Sequence, residues 1–471
     1  VSKPIKIVSI LLASLALVAG VAAFLLSRVD VKSRFEAVAA EATGLEVVVK
    51  GDMSIGLFPA LHVTLKEVSL KNQESQIAAA GEADVGVELW PLLRKQVRIN
   101  RLVLQNVTIE LERDRTGRFN FSNPAKPAKA YRSMPAMSLG RVSLNKATFR
   151  YTNRQRDKEF KATDCKFESD DLQLAAGNSA DFMKLLSLSA QVECAEMRNN
   201  LFVGSDVRLS VAGKNGILKF TPVTMRILDG KGSGNIDADF TGAIPAYRVH
   251  YEVAQLHVDN LFKTLAPSKV GEGFMDFSAD LSMRGFNSVE MTRTAQGEAS
   301  LRGQNLEIAM GDLDEKLSHY ESSQNFNLID VAAFFIVGPL GPVVTKGYNF
   351  ASIFQGSKGN THIRLLVSQW KVADGVAHAQ DVAMASKENR LAMKGALDFV
   401  NREFDDVTVA TLDSSGCARV TQKIRGPFSK PEVTKPNVLV SLTGPVSSLV
   451  SKAKKLMGAK CEVFYAGLIA P

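Results

Sequence analysis

Between Val97 and Leu111 the apolar residues alternate with their neighbours, but not in a single phase. Val97 and Ile99 share one phase, Leu102 and Leu104 take the other, and Val107, Ile109 and Leu111 return to the first. Successive side chains of a strand point to opposite faces. A chain that keeps one face apolar can therefore change phase only through a bulge, a bend or a new strand. The same period of two recurs in Val47-Val49, Leu61-Val63-Leu65, Val85-Val87-Leu89, Val207-Leu209-Val211, Ile236-Ala238-Phe240, Tyr247-Val249-Tyr251-Val253 and Phe277-Ala279-Leu281-Met283. Clusters such as GKNG at 213–216 and DGKGSGN at 229–235 separate such runs, as hairpin turns do. The chain therefore reads as mainly β with few helices, a long antiparallel sheet with one apolar and one wet face. Two versions are open. One is a set of packed sandwiches; the other is a single curved, trough-like sheet whose concave apolar face is not fully covered.

Against this background one segment stands apart. Ile7 to Leu26 (IVSILLASLALVAGVAAFLL) is a run of 20 residues without a charge. As a helix it is about 30 Å long, one hydrocarbon core thick. A cleaved signal peptide is the competing reading, with Lys3 and Lys6 before the run and Ala19, Val21 and Ala23 near a cut site. The run is longer than a typical signal core and continues through Phe24-Leu25-Leu26, which favours an uncleaved transmembrane anchor. Lys3 and Lys6 on one side and Arg28, Lys32 and Arg34 on the other leave the positive-inside count close to a tie. The short stub before the span and the long body after it favour the body outside the cytoplasm.

The remaining stretches divide by composition. Asp30 to Thr43 has helical spacing at Val31, Phe35, Val38 and Ala42, with Gly44 as a C-cap. Ser122 to Met137 is rich in Pro, Ala and Lys and reads as a linker or exposed loop. Phe182 to Leu188 and Pro445 to Met457 read as short helices. Asn327 to Val344 is strongly apolar, but Asp330, Gly338-Pro339 and Gly341-Pro342 break it, so it reads as a capping helix and not a span. The expected organisation is an anchor at 1–29, an N-terminal helix and β module at 30–121, a linker at 122–137, a central sheet at 138–310 and a C-terminal region at 311–471.

Charge and chemistry narrow the function. Hydrophobic residues are 45% of the 471, enough for a substantial core, and the net charge of +8 is spread along the chain. Scattered charges on alternating strands read as a solvated face, so no nucleic-acid partner is expected. The six histidines, His62, His250, His257, His319, His362 and His378, are dispersed. No C-x-x-C, G-x-S-x-G, H-E-x-x-H or phosphate-loop motif occurs. Gly230, Gly232 and Gly234 read as a hairpin turn, and Asp170-Asp171 and Asp405-Asp406 as solvated loops. The chain is expected to be no enzyme and to hold no metal or cofactor. The four cysteines fall as two local pairs, Cys165 with Cys194 and Cys417 with Cys461. Of three possible pairings the local one closes the shortest loops, and a loop of about 30 residues contributes about 3–4 kcal/mol in the chain-entropy model. Free buried thiols are the alternative; export past the anchor favours disulfides.

The order of features then resembles a known family. "GDMSIGLFPALHVTLKEVSLKN" carries a Phe58-Pro59 break between strands, and "VGVELWPLLRKQ" carries Trp90-Pro91-Leu92-Leu93. Asp114-Arg115-Thr116-Gly117-Arg118-Phe119-Asn120-Phe121 closes the N-terminal module. Late in the chain come "ADGVAHAQDVAMASKENRLAMKGALDFVNREF", Gly416-Cys417 and Cys461-Glu462-Val463-Phe464-Tyr465. This set resembles the AsmA family of bacterial envelope proteins. The resemblance implies a single-pass protein of the bacterial inner membrane, held through residues 7–26, with its large C-terminal body in the periplasm. It also implies a β trough that binds and moves phospholipid in support of outer-membrane biogenesis and lipid homeostasis, and contact with other envelope proteins. The residues expected to line the trough are Val47, Val49, Leu61, Val63, Leu65, Leu102, Leu104, Ile109 and Leu111; ordinary sandwich core is the competing reading for each. The alternative function is a non-catalytic scaffold or assembly factor for outer-membrane proteins, whose sheet would be closed and dry.

Overall fold

Alternating sequence becomes strand through nearly the whole described chain. The computed structural model describes residues 36, 45–56, 61–73, 75–88, 99–121, 133–134, 136–178, 181–200, 202–265, 271–308, 312–315, 317, 359–434, 437–438 and 461–469. The strands are β1 (Glu46–Val49), β2 (Met53–Gly56), β3 (His62–Asn72), β4 (Ser75–Val87), β5 (Ile99–Arg113), β6 (Ser133–Met134), β7 (Met137–Leu139), β8 (Arg141–Asn153), β9 (Lys158–Ser169), β10 (Leu172–Leu174) and β11 (Gly177–Asn178). They continue as β12 (Leu186–Asn199), β13 (Val203–Lys214), β14 (Ile217–Ile227), β15 (Gly230–Asp239), β16 (Ala246–His257), β17 (Gly271–Arg284) and β18 (Gln296–Ile308). The last are β19 (Thr361–Ala373), β20 (Val376–Ala385), β21 (Arg390–Asp398), β22 (Glu403–Leu412), β23 (Ala418–Pro427), β24 (Glu432–Val433) and β25 (Asn437–Val438). Short helices join them, among them α1 (Phe182–Leu185), α2 (Val258–Leu265) and α3 (Ser288–Arg293). The fold is mainly β, as its alternation predicts. The segments Ile7–Leu26, Trp90–Leu93, Asn327–Val344 and Pro445–Met457 lie outside the described residues, as does all of Asp30–Thr43 except Glu36. Among the described residues no helix is long and apolar enough to cross a membrane.

The chain divides into two units. The first comprises residues 1–132 and 138–171, the second 133–137 and 172–471. In the first, β1 and β2 pair antiparallel with successive halves of β3, then β3 with β4 and β4 with β5. The expectation of an antiparallel sheet fails at the next step, because β5 and β8 run parallel, with Leu102 opposite Val142 and Ile109 opposite Phe149. A hairpin turn can only reverse the chain. The long connection from Asp114 to Gly140 instead carries it back to the end where β5 began, which a parallel neighbour requires. β8 and β9 are again antiparallel. Glu36 Oε1 accepts the Val49 N–H at 2.7 Å, which occupies a donor on β1.

The phase slips of the sequence fall at residues with left-handed φ. Glu67, Asn106, Lys146 and Asp164 take φ between 49 and 52, each inside a strand of the first unit. In β3, β5 and β8 the inward residues therefore stand three apart: Leu65 and Val68, Leu104 and Val107, Leu144 and Ala147. Their outward pairs are Lys66-Glu67, Gln105-Asn106 and Asn145-Lys146. Each such residue resets the alternation so that the apolar face is kept after the slip; across β3, β4, β5 and β8 the pairing register is unbroken at this level, and between β8 and β9 it shifts. Asp206, Gln255, Asn305 and Asp406 do the same in β13, β16, β18 and β22 of the second unit. Asn and Asp dominate these positions because their short polar side chains tolerate left-handed φ.

The Asp114–Phe121 motif is a self-contained turn. Gly117 has φ +87 and its N–H donates to the Asp114 carbonyl at 3.0 Å. Asp114 Oδ1 accepts from Thr116 N, Thr116 Oγ1 and Arg118 N at 2.8, 2.6 and 2.9 Å. Asn120 then ties the returning chain to β5, donating to the Glu110 carbonyl at 2.8 Å, while Phe119 and Phe121 stack at 4.9 Å. The motif therefore closes a strand and presents no reactive group. Hydrogen bonds from Thr116 and Arg118 hold the Asp114 carboxyl at about 2, below its ordinary 3.8. Because the folded value is depressed, the contribution to stability is present above about pH 4 and is lost as pH falls through about 2. Carbon-13 titration of Asp114 should give a midpoint near 2; a midpoint near 4 would refute this account of the turn.

In the second unit, β12 through β18 form successive antiparallel pairs, β18 pairs β19, and the meander continues to β23. Gly230, Gly232 and Gly234, expected as a hairpin turn, lie within β15; the turn is at Leu228-Asp229. Glycines at alternate positions leave one face of the first half of β15 without side chains, and a neighbouring ring takes the space. The helix expected at Phe182–Leu188 forms a single turn as α1 before β12 begins at Leu186.

Both faces of β19–β23 are covered. Leu366, Met384, Leu391, Met393, Val407 and Val409 face a core that also takes in Val258 and Leu261 of α2 and Leu313 and Leu317. The opposite face is built of small residues: Ala383, Ala385, Ala392 and Ala410 pack against Ile469, Phe464 and Tyr465 of the C-terminal segment. Alanines allow that segment close approach. Cys417 and Cys461 form a disulfide, and Phe464 and Tyr465 both donate their N–H to the Gly416 carbonyl, at 2.9 and 3.0 Å. Gly416 has φ +78, and a Cβ there would stand 2.2 Å from the Tyr465 carbonyl oxygen, so glycine is required on both counts. Cys165 and Cys194 are buried, and among the described residues there is no free cysteine.

Candidate functional site

Register carries the apolar residues of the first unit into transverse rows. Ile55, Val63, Val85, Leu102 and Val142 are successive cross-strand partners. So are Met53, Leu65, Ala83, Leu104, Leu144 and Phe167. Past the left-handed residues a further row runs Val47, Leu70, Ala78, Ile109, Phe149 and Ala162, and another runs Leu111, Tyr151 and Phe160. Partners directly opposite lie about 5 Å apart on one face, so each row is a continuous apolar band across the strands.

Seven of the nine residues expected to line a trough fall in these bands, and Val49 lies opposite Val68 in the row between. Val47, Val49 and Leu65 are buried, the last two at 1% and 2% exposure, and Val49 and Leu65 form a small core with Ala83. Val63, Leu102, Leu104, Ile109 and Leu111 are only half-buried. Leu61 precedes β3 and lines a separate cleft of about 470 Å³ with His62, Asn100, Arg101, Arg141 and Asp170. Leu144, Phe149, Tyr151, Phe160 and Phe167 also belong to the face. Their signal is the alternation in SLNKATFRYT and KEFKATDCKF. The opposite face is ionic: Arg101 pairs with Asp84 at 2.6 Å, Arg150 with Glu110 at 3.5 Å, and Arg154 with Glu112. Such exposed pairs contribute about 0–1 kcal/mol each and mark the wet side.

The second unit repeats this division. Ala190, Val211, Phe220, Ile236, Val249 and Leu281 form one band, and Val192, Leu209, Val223, Gly234, Tyr251, Ala279, Ala299 and Trp370 the next. Around Val253, Met275 and Leu301 the face is closed by the core around α2, while Val249 of β16 and Leu281 of β17 are half-buried. Over β12–β15 it is more open, with Val192, Leu209, Phe220, Met225 and Ile236 half-buried. At the boundary the Tyr251 ring lies along the glycines of β15. A Cβ on Gly234 would stand 2.7 Å from Tyr251 Cδ2, and one on Gly232 would stand 2.3 Å from its hydroxyl oxygen. That hydroxyl is buried and, among the described residues, has no hydrogen-bond partner. Burial pushes the phenol up to about 12.

These bands begin in a stretch that resembles a known family. Residues 2–185 match the model of the AsmA family. The chain is similar to that family through this stretch. No curated protein and no solved structure gives a significant match. The AsmA match spans the whole first unit, including the Asp114–Phe121 turn and the strands with left-handed residues.

Beyond the matched stretch, a second cleft of about 880 Å³ lies between the C-terminal segment and the outer face of β20–β22, lined in part by His378, Lys394, Thr408, Phe464 and Tyr465. Several of the polar groups around it are engaged. Tyr465 donates to Asp381 Oδ1 at 2.5 Å, Leu468 N donates to Asp381 Oδ2 at 3.0 Å, and Lys394 Nζ lies 4.9 Å from the Phe464 ring centre. Burial, and then the Asp381 hydrogen bond, push the Tyr465 phenol far above its ordinary value. These contacts fasten the segment to the sheet. Among the described residues no group of His, Cys, Asp or Glu is placed to hold a metal.

Proposed function

We propose that the protein is an inner-membrane-anchored periplasmic protein that binds and moves phospholipid in support of outer-membrane biogenesis. The observation carrying this reading is the run of half-buried apolar bands, Val63–Leu102 and Leu104–Leu144 in the first unit and Val192–Leu209 in the second, on faces whose reverse sides are charged. An acyl chain laid on such a band gains about 0.8 kcal/mol per buried CH₂. Movement along it needs no nucleophile, metal or cofactor. Similarity to the AsmA family over residues 2–185 supports the envelope location, with Ile7–Leu26 as the anchor.

A scaffold for outer-membrane proteins is the second reading, favoured by the filled core over β19–β23, where Met384 and Leu391 are fully buried. The two readings part at the half-buried bands. A photo-crosslinking amino acid at Leu104 or Leu209 is expected to capture phospholipid in cells, and the same group at the outward Gln105 or Gln191 is not. Protein adducts without lipid at Leu104 and Leu209 would instead select the scaffold.

A further inference from the structure

The Tyr251 hydroxyl is an anomaly on an apolar face. A buried hydroxyl without a partner is destabilising, and native structures seldom keep one without cause. Tyr251 sits where the more open bands of β12–β15 meet the packed core around α2, and its ring lies over Gly232 and Gly234. Side chains at those two positions would clash with the ring. Nothing on that part of β15 interlocks with the ring, so it can lift from the glycines more easily than from a packed surface. A ligand suited to the place is an apolar chain bearing one hydrogen-bond acceptor near its end. We propose that Tyr251 is the specificity-determining contact for lipid: its hydroxyl donates to the ester carbonyl of an acyl chain lying on the band of Val192, Leu209, Phe220 and Ile236. This inference rests on the lipid-binding reading above. It adds that the second unit distinguishes ester-linked acyl chains from plain hydrocarbon, and that a chain stops at Tyr251 because the core beyond is filled.

The test compares two phospholipids of the same headgroup and chain length, one diacyl and one dialkyl ether, offered to the full chain purified in mild detergent and stripped of lipid. The wild type is expected to take up the diacyl lipid about five-fold more tightly, the worth of one hydrogen bond. Tyr251→Phe is expected to abolish that preference while keeping a thermal midpoint equal to or above the wild type, since it removes an unpaired hydroxyl. Gly232→Ala, which crowds the hydroxyl oxygen, serves as a second variant and is expected to alter the preference without touching Tyr251. Equal uptake of both lipids by the wild type, or a preference that survives Tyr251→Phe, overturns the assignment and leaves lipid binding standing. Uptake of neither lipid by the wild type overturns the lipid-binding reading itself and this inference with it.

Discussion

Replacing Cys417 and Cys461 together with serine is expected to lower the stability of the second unit by about 4 kcal/mol, the chain-entropy value for a loop of this size. The two residues are separated by 44 positions, so their bond closes a long loop. The bond also holds the segment that covers Ala383, Ala385, Ala392 and Ala410. Arg390 deepens the effect. It is buried, and it donates to the Ile469 carbonyl at 3.3 Å and to the Asp413 carbonyl. A segment that leaves takes one acceptor from this buried cation and exposes the alanine face. Urea unfolding of the wild type with and without reductant, and of the double variant, measures the difference. A change within 1 kcal/mol would show that Asp381, Arg390 and the alanine face hold the segment unaided.

A charge placed on the half-buried bands is expected to have the largest effect on cargo. Leu104→Glu and Leu209→Glu each set a carboxylate where an acyl chain would lie, and a charge against hydrocarbon without a partner is strongly unfavourable. Both residues are half-buried, so the new carboxylate reaches water in the empty protein and folding is retained. Phospholipid recovered with the purified full chain, measured by mass spectrometry, is expected to fall at least ten-fold. Gln105→Glu and Gln191→Glu, one position away on the outward face, are expected to leave it unchanged. A folded Leu104→Glu, Leu209→Glu double variant with the wild-type lipid load would sink the proposed function.

How far the sequence foretold this can be judged strand by strand. The slip between Leu104 and Val107 announced a bulge, a bend or a new strand, and Asn106 with φ 51 turns the alternation there while β5 keeps its register to β4 and β8. The pairing of Cys417 with Cys461 is the local one, which of three possible pairings closes the shortest loops. Other features were hidden for physical reasons. Strand direction is not carried by alternation, so the parallel pairing of β5 with β8 could come only from the path of the connection. Gly230, Gly232 and Gly234 carry turn chemistry, yet here they answer to the Tyr251 ring beside them. In α2, Val258 and Leu261 stand at helical spacing directly after a strand, and eight residues give too short a signal beside the alternation of β16. The filling of one part of the face and the opening of another depend on which distant segments pack there, and period two is the same in both.

The left-handed residues within the strands bear on how such a protein can change its length. A sheet of this kind is extended by adding a hairpin, and an added hairpin keeps its apolar residues inward only if it brings its own extra residue near the same level. Removing a whole hairpin leaves its neighbours with intact faces to pair. Removing Asn106 alone would turn Val107, Ile109 and Leu111 outward and set Thr108 and Glu110 on the apolar side. Single-residue deletions within strands should therefore be rarer among such chains than losses of complete strand pairs, the reverse of what holds in surface loops.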